Sequence, residues 1–290
     1  PRSPPNSLPA TSSKTAGGPS QRLAARSEPA RRDRTERKLA MDPIEKLDAW
    51  LREGFVAINT QLEHAYFDER VDVIMGRPAL DDLKAALLRG GGERIQDIAA
   101  MASLPPGSDA RYRLLGMVGS YLAACRRHEA ELSAGAGGQE AAWTLSVRMG
   151  CSLVVAPRFV FAHQALFNDA VAGAFRTFTS LPDERTWILL NASAVMAYRR
   201  AAHTLRDAAH VGVSSPLAGY LFQNARAALE DVLHFNQQLS RDLNVDRFYF
   251  NIRPYFKSYR VGHAEHRGAN AGDFSAINEI DVMLGLCSTA

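Results

Sequence analysis

From residue 41 onward, apolar side chains recur at spacings of three and four through nearly every segment of this chain. That is the periodicity an α-helix needs to bury one face, and it leaves little room for a sheet. Residues 41–67 read as one amphipathic helix carrying Ile44, Leu47, Trp50, Leu51, Phe55, Ile58 and Leu62. Residues 79–99 predict one or two shorter helices broken at Gly90-Gly91-Gly92, and 108–132 a strong helix closed by the glycine-rich run 135–138. Residues 140–167 are apolar almost all round, as in a central buried helix, with Pro157 kinking or ending it. Pro182-Asp183-Glu184 opens a helix to about 209, its acids placed where the helix dipole favours them. Ser215-Pro216 starts another to about 243, with a serine N-cap and proline in the first turn. Residues 273–286 form a short terminal helix, and the best strand candidate is only the run 247–252. The expected fold is therefore an all-α helical bundle of about seven helices, without an internal repeat.

Charge divides the chain. Residues 1–40 hold nine Lys/Arg and three Asp/Glu, a net of +6, so the formal +3 of the whole leaves −3 for residues 41–290. The first forty residues also carry six of the 14 prolines and few large apolar side chains. Such a segment cannot bury enough surface to offset its ordering entropy, and it reads as a disordered basic leader or a spurious extension ahead of Met41. Residues 41–290 then form a single helical domain. Cys125, Cys151 and Cys287 lie too far apart for a zinc pattern or a disulfide framework, which fits a cytoplasmic protein. No apolar run reaches 18 residues, so neither a membrane nor a nucleic acid is an expected partner.

Between the last two helices lies a long stretch without helical periodicity, from Phe250 to Phe274. Connections of that length are uncommon in compact domains unless they serve a function or are disordered. Disorder would waste Phe248, Tyr249, Phe250, Tyr255, Phe256 and Tyr259 in solvent, so the segment reads as an ordered Gly-rich loop over a pocket. Arg253, Arg260 and Arg267 offer planar forks for carboxylates, and Gly268 and Gly272 allow a backbone to approach a ligand. A packed C-terminal wrap with surface arginines is the competing reading.

Eight histidines carry the remaining chemistry, and no pair has the spacing of a helical zinc site. His128 shares an inward helix face with Leu114, Met117, Tyr121 and Cys125, which fits either a satisfied core histidine or a pocket base. His163 sits in an apolar run and reads as core. His234 lies opposite the apolar stripe of Leu221, Ala225, Ala228, Val232 and Leu239, with Glu230 and Asp231 one turn back. It is solvated unless a second surface or a cofactor packs there.

The segment Phe250-Asn251-Ile252-Arg253-Pro254-Tyr255-Phe256-Lys257-Ser258-Tyr259-Arg260, continuing to Arg267-Gly268-Ala269-Asn270-Ala271-Gly272-Asp273-Phe274 and Asp281-Val282-Met283-Leu284-Gly285-Leu286-Cys287, resembles the C-terminal signature of the monodechloroaminopyrrolnitrin synthase family. That family is similar to the histidine-ligated heme superfamily of tryptophan and indoleamine dioxygenases, which includes heme-dependent L-tyrosine hydroxylases of antibiotic biosynthesis. The resemblance implies one heme b, its iron bound by His234, with Gly268 and Asn270 in the loop that closes the site. It implies His128 as the distal catalytic base. Arg253, Arg260 and Tyr255 are the expected substrate-binding residues.

The expected activity is heme-dependent hydroxylation of L-tyrosine at ring carbon 3 to give L-DOPA, with hydrogen peroxide or dioxygen plus reductant as oxidant. The alternative is a synthase-like oxidative rearrangement of a (chloro)tryptophan. A non-catalytic helical ligand-binding protein is the reading from another class. A small aromatic amino acid is the expected partner, and a homodimer is left open.

Overall fold

The computed structural model describes residues 41–130 and 138–287. The expected leader, 1–40, and most of the glycine-rich run at 135–138 lie outside them. The expected all-α bundle is what forms. Its long helices are α1 (Pro43–Arg52), α2 (Gly54–Glu69), α3 (Pro78–Ala99), α4 (Ser108–Arg127), α5 (Gly138–Leu153), α7 (Pro182–Val211) and α8 (Pro216–Asp242), with shorter α6 (Phe161–Ala165), α9 (Val245–Arg247) and α10 (Ser275–Met283). The one sheet among the described residues is the hairpin of β1 (Tyr259–Val261) and β2 (Ala264–His266), with Tyr259 opposite His266. No described helix is long and apolar enough to cross a membrane.

Three expectations about elements need correction. The helix over 41–67 is two, divided at Glu53 (φ −122, ψ −85). There Arg52 reaches out to the carbonyls of Ala174 and Asp169 at 2.6 and 3.1 Å, tying the end of α1 to a distant loop. The glycines at 90–92 do not break α3. A Cβ on Gly91 would lie 2.3 Å from the Tyr121 ring, and one on Gly138 would lie 2.6 Å from the Gly92 Cα. These glycines let α4 and α5 press against α3, and that packing overrides their poor helix propensity. The run at 247–252 is helical rather than extended. Pro157 does end a helix, as expected: α5 stops at Leu153, and Val154 turns left-handed at φ 56.

The main core gathers around α4, whose Leu114, Leu115, Val118 and Tyr121 are fully buried against Leu47, Leu87, Ile95 and Leu145. A second, smaller core joins α7, α8 and α10 through Ala201, Ala202, Ala225, Ala228 and Ala276, whose short side chains permit close helix approach. The segment from α9 to β2 lies against α2, α4 and α7 and carries the side chains described next.

Candidate functional site

The chain leaves α8 through Asn244, whose side chain accepts from the Arg247 amide at 3.0 Å and starts α9. The next turn is wide: the Arg253 amide reaches back five residues to the Phe248 carbonyl. Such π turns recur at functional sites. Pro254 follows and has no N–H, so it cannot donate to the Phe250 carbonyl as a continuing helix would. That carbonyl is instead taken at 3.2 Å by Arg127 Nη2, from the end of α4.

Arg127 belongs to a buried polar cluster. Its Nε and Nη2 fork onto Glu63 Oε1 and Oε2 at 2.8 and 2.9 Å, and its Nη1 donates to the Asp72 carbonyl at 2.6 Å. Burial opposes the Arg127 charge, but the Glu63 carboxylate outweighs it and holds its pKa above the ordinary value. Asn251, fully buried in the wide turn, donates to the Glu63 carbonyl and to Oε2 at 2.9 and 3.0 Å. One carboxylate thus joins α2, α4 and the turn. Leaving a buried charge unpaired costs about 3–5 kcal/mol, so these groups hold each other in place.

The turn presents Arg253 and Tyr249 outward, the guanidinium 5.4 Å from the phenol ring centre. Both are exposed, and Arg253 meets no carboxylate among the described residues. On the neighbouring side, Trp187 gathers Phe161, Phe248 and Phe256 at centroid distances of 5.6, 5.7 and 4.9 Å. Arg253 beside the Tyr249 ring suits an aromatic amino acid, one end charged and the other a ring.

The remaining expected site residues separate. His128 is wholly buried and does not reach a pocket. Asn59 spends its amide N–H on the Phe178 carbonyl, so its Oδ1 accepts from His128 Nε2 at 2.9 Å, and His128 Nδ1 takes the Tyr66 hydroxyl at 3.3 Å. Tyr255 Oη lies 3.2 Å from the same Nε2, itself only 1% exposed. His128 and Tyr255 therefore come together, but as core groups. Both imidazole nitrogens of His128 thus have hydrogen-bond partners. Arg260 stands on β1 and lines a different cavity of about 1010 Å³, with Arg126, Lys257 and Trp143. Gly268 is buried against the backbone of Phe256 and Lys257, whereas exposed Asn270 closes a local turn by accepting from the Gly272 amide at 2.8 Å.

A heme would need a histidine nitrogen facing an enclosure of its own size. His234 is exposed on α8, and its only aromatic neighbour is the adjacent Phe235 at 5.8 Å. His163 is buried with Nε2 unpartnered, but the cavity beside it, about 20 Å³, admits little more than a water. No cluster of three or more His, Cys, Asp or Glu side chains occurs among the described residues. Neither exposed His234 nor His163 beside its small cavity is enclosed to the size of a heme, while His203 lines a cavity of about 550 Å³ with Arg199, Arg200 and Asp231.

Glu63, Arg127 and Asn251 escaped the sequence reading. The available signal was a lone Glu63 among buried Asn59, Leu62 and Tyr66, and the second of two arginines, Arg126-Arg127, that end the helix with the most buried residues.

A family model described as Monodechloroaminopyrrolnitrin synthase PrnB matches residues 41–290 of the chain. No curated protein matches it.

Proposed function

Because this chain belongs to the monodechloroaminopyrrolnitrin synthase PrnB family, a family of heme-dependent oxidoreductases, we propose that it oxidises a tryptophan-like amino acid whose carboxylate is held by Arg253. The observation that carries this reading is the exposed Arg253 guanidinium, without a carboxylate partner among the described residues and 5.4 Å from the Tyr249 ring centre, on the segment that also sets Phe248 and Phe256 against Trp187. Heme, when bound, supplies the oxidising chemistry with dioxygen or peroxide. Heme dependence rests on family membership rather than on the described side chains. In this reading Arg253 orients the amino acid by its carboxylate, the aromatic cluster takes the indole face and excludes water, and Gly268 lets the loop pack close behind.

The family match favours the indole alternative over tyrosine 3-hydroxylation, since the reaction in its description is not a tyrosine hydroxylation. Full-length protein produced with added heme precursor should convert L-tryptophan or a chlorotryptophan, given dioxygen plus reductant or hydrogen peroxide. It should leave L-tyrosine unchanged. Formation of L-DOPA with the indoles inert would overturn this reading. Arg253→Ala should weaken tryptophan binding by about 1.5–3 kcal/mol, the usual worth of a hydrogen bond to a charged group. That is roughly ten- to hundred-fold in dissociation constant. Unchanged affinity would remove Arg253 from the site.

A further inference from the structure

Arg253 follows a short wide turn that side chains from elsewhere tie to the rest of the fold. The wide turn leaves the Phe250 carbonyl without a helical donor, because the residue that would supply it is Pro254. What closes the turn comes from elsewhere in the fold. Arg127 Nη2 caps the Phe250 carbonyl, and Asn251 is fastened by two hydrogen bonds to Glu63. Arg253 is two residues beyond Asn251 and three beyond Phe250. A rotation of this turn would change the direction in which its guanidinium points.

We propose that Glu63, Arg127 and Asn251 are positioning residues that set the direction of Arg253 toward the substrate carboxylate. The proposal rests on the reading that Arg253 holds that carboxylate. None of the three touches substrate. They act through the backbone of the 248–253 turn, so disturbing them should affect ligands with a carboxylate and spare those without one. Misplacing an orienting group by about 1 Å can cost on the order of 10²-fold, so a partial loosening should be read as roughly ten-fold.

The test compares L-tryptophan with tryptamine, which keeps the indole and amine but lacks the carboxylate. Equilibrium affinities are measured on the full-length, heme-supplied protein and on three variants. Asn251→Ala removes both donors to Glu63. Arg127→Lys keeps the charge while losing the fork that reaches Glu63 and Phe250 together, and it serves if Asn251→Ala does not fold. Arg253→Ala is the reference. The expected result is a roughly ten-fold weaker affinity for tryptophan in Asn251→Ala and Arg127→Lys, with tryptamine binding unchanged. Adding Asn251→Ala to Arg253→Ala should weaken tryptophan no further, because the positioned group is already gone.

Equal loss for both ligands, or no loss in a folded variant, overturns the positioning role. If Arg253→Ala leaves the tryptophan-to-tryptamine ratio as it was, the carboxylate reading itself has failed, and the proposal falls with it. A ratio that collapses in Arg253→Ala but not in Asn251→Ala or Arg127→Lys refutes the positioning alone. Absence of tryptophan binding by the unaltered protein overturns both.

Discussion

Lowering the pH from 7 to 4 is expected to destabilise this protein sharply, because two neutral histidines are sealed in its core. Burial, reinforced by Arg127 and Lys84, keeps the His128 pKa well below its ordinary 6.5. Burial, reinforced by Arg176 and Arg158, lowers that of His163 to about 3. In the unfolded chain both rings take up a proton near pH 6.5, while in the folded protein they resist. The unfolded state therefore binds more protons, and stability rises with pH across this window and is lost as pH falls through it. His163 contributes about 1.4 kcal/mol per pH unit, or roughly 3 kcal/mol between pH 6.5 and 4, and His128 acts in the same direction.

Glu184 opposes them. Burial raises its pKa to about 7, although the Phe178 and Thr179 amides and the Thr179 hydroxyl all donate to its carboxylate at 2.7 Å. Its contribution is complete below pH 4.5 and is lost as pH rises through 7, offsetting about one of the two histidines in the shared window. Glu63, its carboxyl also held above the ordinary value by burial, acts with Glu184, so the acid loss is carried by His128 and set against the roughly 5–15 kcal/mol that holds a domain folded. Urea unfolding between pH 4 and 8 measures the slope. His163→Asn keeps an acceptor for the Val160 amide, now at 3.0 Å from Nδ1, and removes the titration. Its unfolding free energy should fall less steeply with acid than that of the unaltered protein. Parallel profiles would show that His163 is not a source of the acid sensitivity.

Gly268→Ala is expected to cost more than about 3 kcal/mol, beyond the usual range for an overpacked core. An added Cβ would lie 1.8 Å from the Phe256 carbonyl oxygen, 2.5 Å from the Phe256 carbonyl carbon and 2.6 Å from that of Lys257. All three are backbone atoms and cannot rotate aside. Nor can the loop lift away freely, since Arg158 holds it by the Arg267 and Gly268 carbonyls at 2.7 and 3.1 Å and by Asp273 at 3.2 Å. Whichever side yields, the Arg253–Phe256 turn shifts with it, so tryptophan binding should fall along with stability. Gly272→Ala is the control, because its Cβ would meet only Asn270 Oδ1 at 3.4 Å, and it should stay within about 1 kcal/mol. Thermal melts of the two variants decide the matter, and matching midpoints would contradict the clash.

The all-helical architecture was legible in the sequence because helices are specified locally. The three-and-four spacing, the Ser215-Pro216 start and the stop near Pro157 act through neighbours within a turn or two, and each stands where the pattern put it. That the Arg253 segment is ordered was also legible, since so many rings would otherwise sit in solvent. What those side chains face was not. Gly90-Gly91-Gly92 stays helical because Tyr121 and Gly138 fill the space its missing side chains leave. The run 247–252 coils instead of extending, and Arg127 and Glu63, more than a hundred residues earlier, tie it down by the Phe250 carbonyl and the Asn251 side chain. His128 and Arg253 carry equally suggestive side chains, and only the tertiary structure closed Asn59, Tyr66 and Tyr255 around one while leaving the other in the open. Periodicity reports which face of a helix turns inward; burial and charge pairing depend on partners far away in the chain, and those are chosen by packing.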